Sequence, residues 1–492
     1  MGKLKTRADD GRSVAFEVLL RVNRGGAWAG LTLDAALRER PHMDYREKAL
    51  ATELVYGSLR LAPALDRELA RHSRRPLANL DERVLILLRL GSYQLLHLRI
   101  PDHAAVAETV ELAEQAGVSH AKGFLNAVLR ALTRDPRPPP PPLDEDPCGN
   151  LLVEEGLPDW LCKLWLEDLP IREAAKLAKS SNQPARVHLR AASRRHRSEV
   201  LKRLEDCGVA ARPDDLSPVG IRLEKGIHPE NIPAWEDLGL QAQDEGAQLV
   251  TYYALLSGHG RPDCSNEVGN VLDACAAPGG KTCHLAQALP NARIVAVDLH
   301  RRRVERVRRE AVRLGLAERV ETHAADATGP MPFVRSRSFD LVLVDAPCTG
   351  LGTLRRHPEI KLRRSVEDVN RLANLQSSLL DALADAVAPG GLLVYAVCTM
   401  TRAEGPGVIQ RFLTSHADFT LERPSVPAKS DKEAPGTSHE EPSGGSGSGA
   451  PWVDLSSIPW ESLLTPEGEL RLWTHRHGTD GFFAARLRRQ SE

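Results

Sequence analysis

No run of this chain is apolar for long enough to enter a bilayer. The longest, such as Leu392 to Cys398, fall far short of the roughly 18 residues that a membrane-crossing helix needs. The N-terminal Met1-Gly-Lys-Leu-Lys-Thr-Arg7 lacks the apolar centre and small-residue cleavage site of a secretory leader, so a cytoplasmic chain without membrane attachment is expected. The eight cysteines, Cys148, Cys162, Cys207, Cys264, Cys275, Cys283, Cys348 and Cys398, include no C-x-x-C pair, so neither a zinc site nor a disulfide framework is signalled and no metal is expected. With 37 Gly and 34 Pro in 492 residues, collagen-like and wholly disordered classes drop out. No internal repeat is visible. Strong charge of either sign is also missing: 65 Lys and Arg against 66 Asp and Glu leave a formal net charge of −1, which does not advertise a nucleic-acid partner. The average conceals patches, however. Residues 1 to 135 hold 21 basic against 17 acidic side chains, and RRHPEIKLRR, Arg355 to Arg364, holds five basic residues against Glu359 alone.

What is present suggests about three domains at roughly 150 residues each. Residues 7–134 carry apolar side chains at three and four spacing, as in Val14, Val18, Leu19 and Val22, or Leu85, Leu88, Tyr93, Leu95 and Leu96, and predict an all-α domain. A proline-rich linker, 135–150, interrupts it, because consecutive prolines favour an extended spacer. Residues 151–265 mix a helical stretch around Trp160 to Ala178, a strand at Arg186 to Arg190 and a helix from Ser198 to Cys207, a small α+β module. From 266 to 490, short apolar strands alternate with amphipathic helices, the pattern of a parallel sheet covered on both faces. Strands are predicted at Val271-Leu272, Ile294 to Val297, Val320 to His323, Leu341 to Val344 and Leu392 to Val397. A Ser/Gly-rich stretch at 424–450 reads as a flexible insertion, and Leu470 to Trp473 with Phe482 to Leu487 reads as a terminal antiparallel hairpin on the sheet edge.

The chemistry is expected where strands end. Val271-Leu-Asp-Ala-Cys-Ala-Ala-Pro-Gly-Gly-Lys-Thr282 runs from a strand through a glycine-rich turn into a helix, where backbone can approach a ligand. A Walker A loop would need glycine where Cys275 stands, and the dinucleotide pattern G-x-G-x-x-G is absent, so a phosphate cradle is disfavoured against a ligand turn or a plain structural turn. Asp273, Asp298 and Asp326 end successive strands. Singly each suits a cap or turn; together, at the carboxyl ends of an open α/β sheet, they fit an adenosine-bearing ligand without phosphates, of which S-adenosylmethionine is the candidate. The next strand brings Asp345 and Cys348 to the same rim, and the fifth brings Cys398.

A lone cysteine is usually inert and buried, but two thiols at adjacent strand ends suit one particular chemistry. C5 of cytosine is too poor a nucleophile to take a methyl group unaided, whereas a thiolate adding to C6 makes it enamine-like. At an unperturbed pKa near 8.5 only about 3% of a thiol is ionised at pH 7, so the site must favour or generate the thiolate. The C5 proton must then leave before the thiol is expelled, which gives a second group a task.

DACAAPGGKT, VDAPCTGLGTLRRHPEIKLRR and GGLLVYAVCT resemble the RNA cytosine-5 methyltransferases, specifically the Sun (Fmu, RsmB-type) branch. REKALATELVYGSLR, LRLGSYQLLHLRIPDHAAVAETVELA and KGFLNAVLRAL resemble the NusB-like helical domain that precedes it, and WLCKLWLEDL, QPARVHLR and LQAQDEGAQLV resemble its intervening RNA-binding module. The resemblance implies a multidomain chain: an all-α NusB-like domain, a small α+β RNA-binding module and an α/β class I, Rossmann-like methyltransferase domain. It implies Cys398 as nucleophile, Cys348 as the thiol that assists product release, and a cofactor site of S-adenosylmethionine at Cys275, Ala276, Ala277, Pro278, Gly279, Gly280, Lys281, Asp298, Asp326 and Asp345. Asp345 also suits contact with N3 of the base, with Lys281 either orienting that carboxylate or standing as a surface lysine at a helix start. The family usually shows Thr or Ser before the nucleophile and Glu-Asn a few residues after it, whereas this chain has Val397 before Cys398 and Glu404-Gly405 after. The implied substrate is a cytosine of 16S rRNA, of the cytosine-967 type. Because C5 of a paired base lies within a stack, an unpaired or extruded cytosine is expected. Arg355 to Arg364 and Arg186 to Arg197 are candidates to hold phosphates, or simply solvated faces, and a monomer suffices. Two rivals stand beside this: a DNA cytosine-5 methyltransferase using Cys348 in its Pro-Cys pair, and a non-catalytic RNA-binding assembly factor.

Overall fold

The computed structural model describes residues 10–135, 137–224, 229–256, 268–427 and 455–491. From residue 428 on, the expected insertion at 424–450 lies outside these, as does Cys264. No helix among the described residues is long and apolar enough to cross a membrane. Two units divide the chain, one running to Pro184 and taking in Thr353–Val366, the other formed by Ala185–Gly352 and the chain from Glu367.

The first unit is helical, with helices Gly11–Gly25, Ala29–Arg38, Tyr45–His72, Glu82–His97, Asp102–Gln115, Lys122–Arg134, Pro147–Glu155, Asp159–Asp168 and Ile171–Ser181. Aspartates open several of them: Asp10 accepts from the Arg12 and Ser13 amides, and Asp44, Asp81 and Asp146 cap likewise, satisfying donors that a helix start leaves unpaired. Val14, Val18, Leu19, Val22, Leu54, Val55, Leu88 and Tyr93 are buried together, as the spacing predicts, while Leu95 and Leu96 are half-buried at the margin. The helix at Pro147–Glu155 begins inside the stretch expected as linker, and the single helix expected around Trp160 to Ala178 is two, parted at Pro170 because proline cannot continue a helix.

The basic run Arg355 to Arg364 is largely turned inward, which corrects its reading as a phosphate-binding face. Lys361 is buried, with Nζ 3.4 Å from Asn182 Oδ1 and 3.5 Å from the Glu155 carbonyl. Arg363 donates to the carbonyls of Val22, Gly26 and Ala27, and buried Glu359 accepts from the Ala29 amide at 2.8 Å. These side chains splice residues 353–366 onto the helices, and charge counting along the sequence cannot tell an inward arginine from an outward one. Burial lowers the Lys361 ammonium to about 7. Unfolded, it would titrate near ~10.4, so between those values the unfolded chain binds more protons and stability rises with pH, while below about 7 the whole penalty is present. Lys361→Met is therefore expected to stabilise the protein at pH 6, by on the order of 3 kcal/mol, and the gain should vanish near pH 10; thermal melts across pH measure it.

Among the described residues the second unit holds two sheets. The smaller pairs β1 (His188–Arg190), β2 (Ala211–Pro213), β3 (Gly220–Leu223) and β4 (Gln241–Ala242) antiparallel in the order β2-β3-β1-β4, with helix Arg194–Asp206 packed by Val200 and Leu204. The larger contains β5 (Asn270–Asp273), β6 (Arg293–Asp298), β7 (Val320–Ala324), β8 (Phe339–Asp345), β9 (Val387–Val397), β10 (Phe419–Leu421), β11 (Leu470–Leu472) and β12 (Phe482–Arg489). Its order is β10-β12-β9-β8-β5-β6-β7, with β11 pairing β12; β5 to β9 run parallel and the last three antiparallel. Side chains alternate across it. Leu272, Val295, Val342, Val344 and Leu393 pack with Leu380, Leu383 and Phe412 on one face, and Val271, Ile294, Leu341, Leu343 and Val394 with Cys283, Leu285 and Val307 on the other. The terminal hairpin forms, but β12 lies between β9 and β10 rather than at the edge, because Phe419–Leu421, too short to announce itself in sequence, takes the edge.

Candidate active site

The chain leaves β5 outward through β6 and β7, then returns to β8 on the other side of β5. The crevice at that reversal, beyond the carboxyl ends of β5 and β8, is where open α/β sheets bind ligands. The glycine-rich turn lies there. Gly279 has φ 106°, and a Cβ on it would sit 3.2 Å from Val307 Cα, so both backbone shape and close helix approach call for glycine. Its amide donates to the Ala276 carbonyl and the Ala276 amide to the Val297 carbonyl, which fastens Cys275 to Gly279 between β5 and β6. Helix Gly280–Ala288 follows.

Asp273 does not face the crevice. It is buried beneath the turn, accepting from the Thr282 hydroxyl at 2.7 Å; burial pushes its carboxyl up to about 7, against the pull of that hydrogen bond. It locks strand to helix. Lys281 is buried too, so the surface-lysine reading is excluded. Its Nζ donates to Asp345 Oδ2 at 2.6 Å and lies 5.1 Å from the centre of the Phe482 ring. Burial opposes the ammonium, but Asp345 above all, with Cys398 and Asp273, outweighs it and holds Lys281 protonated.

At the end of β6, buried Asp298 accepts from the His300 amide at 3.1 Å and meets Arg303 at 3.4 Å; Arg303 also reaches the Ala277 carbonyl. Asp326, past β7, is exposed, and its Oδ1 takes both the amide and the hydroxyl of Thr328, which hold its carboxyl below the usual range. These two contacts hold the turn that follows β7.

Register brings the two thiols together. Asp345 pairs with Ala396, so Cys348 and Cys398 emerge a few residues beyond neighbouring strand ends, with Sγ atoms 3.2 Å apart and both half-buried. The hydrogen bond to Cys398 and burial raise the Cys348 thiol well above its ordinary value, and Glu404 adds to the rise. Thus Cys348, Cys398, Asp345 and Lys281 form one cluster beside the turn.

Arg190, within the Arg186 to Arg197 segment expected to hold phosphates, instead faces inward, which residue spacing does not reveal. It is fully buried and donates to the Gly280 carbonyl at 2.8 Å, Gln287 at 2.7 Å and Gln243 at 2.5 Å, buttressing the glycine turn from the small sheet. Its only sequence signal is the alternation of Arg186 to Arg190, which places Arg190 and His188 on one face.

Similarity to known proteins agrees with these parts. Residues 264–488 match a family model described as 16S rRNA methyltransferase RsmB/F, 9–134 the NusB family, and 157–229 an RsmF/B-like ferredoxin-like domain. A "Probable ribosomal RNA small subunit methyltransferase B" of Bacillus subtilis is 32% identical over 482 residues, covering 97% of this chain and 98% of that one. The chain belongs to the ribosomal RNA small subunit methyltransferase B family. The member from Pseudomonas syringae pv. tomato is 37% identical over 405 residues, 82% of this chain and 86% of its own. Among solved structures, that of PH0851 superposes with a TM-score of 0.75 at 22% identity, covering 99% of this chain and all of that one. NSun6 from Pyrococcus horikoshii, solved with SFG, gives 0.51 at 18%, covering 68% and 99%. These two share the fold. The helices of residues 9–134 are thus NusB-like and residues 157–229 ferredoxin-like, and membership of an rRNA methyltransferase family sets aside the DNA-directed reading of Cys348.

Proposed function

We propose that this rRNA methyltransferase transfers a methyl group from S-adenosylmethionine to C5 of an unpaired or extruded cytosine in 16S rRNA, of the cytosine-967 type, with Cys398 as nucleophile. The observation that carries the reading is the Cys348–Cys398 contact of 3.2 Å beside the Lys281–Asp345 pair. The crevice suits the cofactor: it offers carboxylates and close backbone instead of a phosphate cradle, which matches ribose hydroxyls and a cationic sulfonium. Asp298 and the turn Cys275 to Gly280 would hold it, with Asp326 at the rim; bound there, it supplies an electrophilic methyl group.

The chain's own residues do the rest. Cys398, its thiol proton passed to water, gives its sulfur electron pair to C6; an S–C6 bond forms, the C5–C6 π bond breaks, and its electrons make C5 nucleophilic. Lys281 holds Asp345 in place at the ring nitrogen edge, where a carboxyl favours the electron-poor ring that addition requires. Cys348 is kept protonated first by its hydrogen bond to Cys398. Once Cys398 is bonded to carbon that restraint is gone; Cys348 gives its own proton to water and, as the thiolate, takes the C5 proton while the C5–C6 double bond reforms and the electron pair of the S–C6 bond returns to Cys398. The test is methyl transfer to unmodified 16S rRNA followed by mass mapping of the product. A single 5-methylcytosine supports the reading; methylation at nitrogen or ribose, or on DNA alone, overturns it.

A further inference from the structure

Beneath the thiol pair lies a buried carboxylate that the mechanism above does not use. Glu404 is wholly buried, six residues past Cys398 in a segment with no regular structure. Four donors converge on it: Oε1 accepts from the Thr349 amide at 2.8 Å and Gln376 Nε2 at 3.1 Å, and Oε2 from the Thr349 hydroxyl at 2.6 Å and the Thr401 hydroxyl at 3.1 Å. Gln376 also donates to the Pro347 carbonyl at 2.9 Å, and the Thr349 and Thr399 hydroxyls meet at 3.2 Å. The residues immediately before and after Cys348, and the one immediately after Cys398, are all in this network. The Tyr395 hydroxyl donates to the Glu404 carbonyl at 2.5 Å, tying the network to β9.

A surface loop needs no buried acid. A carboxylate is costly to place out of water unless its oxygens are matched, and here both are matched by donors, so the arrangement specifies one geometry. We propose that Glu404 is a positioning residue for the thiol pair: its carboxylate ties the turn after Cys348 to the turn after Cys398 and sets their approach. The inference rests on the reading of Cys398 as nucleophile and Cys348 as the releasing thiol. Among the described residues Glu404 makes no hydrogen bond to either sulfur, so it acts through Thr349. Its nearby negative charge also raises the Cys348 thiol, in keeping with a group that must not compete with Cys398 for addition to C6.

The backbone around the site has independent support. The Gly352 amide donates to the Cys398 carbonyl, the Ala346 amide to Ala396, and the Gly481 amide to Gly352. A Glu404→Gln protein should therefore fold, while its amide sets a donor against the donors of Thr349 or Gln376. The experiment is single-turnover methylation of unmodified 16S rRNA by the full chain, reading formation and decay of the denaturation-resistant protein–RNA adduct, with thermal melts alongside. Glu404→Gln is expected to form the adduct within about threefold of the wild-type rate but to release it at least about tenfold more slowly, with kcat falling and KM for RNA little changed. Glu404→Asp should recover part of the release rate, and Thr349→Val, which removes only the hydroxyl contacts, should show the same defect in milder form. Release at the wild-type rate in Glu404→Gln overturns the inference, and so does a parallel fall in melting temperature, adduct formation and release in both Glu404→Gln and Thr349→Val. Cys348→Ala is the control. If it accumulates adduct and Glu404→Gln does not, the inference alone falls; if it accumulates none, the two-thiol reading falls and takes the inference with it.

Discussion

Cys398→Ala is expected to remove turnover by at least about 10³-fold and to form no adduct with RNA, because it removes the sulfur proposed to supply the electron pair to C6. Cys348→Ala should differ in kind. It retains the nucleophile and the cofactor crevice, so addition and methyl transfer proceed, but the C5 proton has no acceptor and the enzyme stays bonded to its product. On a denaturing gel the Cys348→Ala protein incubated with S-adenosylmethionine and unmodified 16S rRNA should show a retarded band, absent from the Cys348→Ala/Cys398→Ala double mutant. An adduct that forms without Cys398 but requires Cys348 would reverse the two roles and sink the mechanism. The contrast is sharp because the sulfurs, 3.2 Å apart, share one site and cannot be distinguished by access.

The second large effect concerns the ion pair. Asp345→Ala leaves the Lys281 ammonium buried without its 2.6 Å partner. Breaking a buried pair from one side costs about 3 kcal/mol or more, and this case belongs at the lower end because the Asp345 side chain is 30% exposed and water can take its place. Activity should fall further than stability accounts for, by on the order of 10²–10⁴, if the carboxyl also serves the ring. Lys281→Met/Asp345→Ala removes both charges. It is expected to regain most of the lost stability, measured by denaturant midpoint, without regaining activity. Recovery of activity in the double mutant would show that the pair is only structural.

Much of the α/β domain could be read along the chain. Its strands were legible because apolar runs of strand length between glycine and aspartate turns have few alternatives, and the helical unit because its spacing repeats over many turns. The edge strand Phe419–Leu421, the break at Pro170 and the helix inside the proline-rich stretch were less so, since each is short enough for packing to outweigh local preference. Among candidate site residues, Asp298, Asp345, Cys348 and Cys398 stand at the strand ends where the pattern put them. Asp273 and Lys281 do as well, yet their side chains are buried under and beside the turn, a difference that depends on Thr282 and Asp345 and not on position. Arg190 carried only the strand alternation of Arg186 to Arg190, and Glu404 only the family's Glu at that place; neither showed what the side chain does. A buried charge announces itself only through partners far along the chain, at Gly280 and Gln287 for one and at Thr349 and Gln376 for the other.

By itself the sequence determined the kind of protein this is: a strand, glycine turn and helix without a phosphate loop, acids and thiols at successive strand ends, and motifs that place it among rRNA methyltransferases. Those features are local, set by side-chain spacing and backbone freedom over a dozen residues or fewer. Only the tertiary structure decided which of the acids and cations are buried against partners and which stand at the crevice. It turned Arg190, Lys361 and Arg363 inward, sealed Asp273, joined Lys281 to Asp345, and through the pairing of β8 with β9 brought Cys348 against Cys398 across fifty residues of chain. Those meetings are set by strand register and burial, which residue spacing alone does not encode.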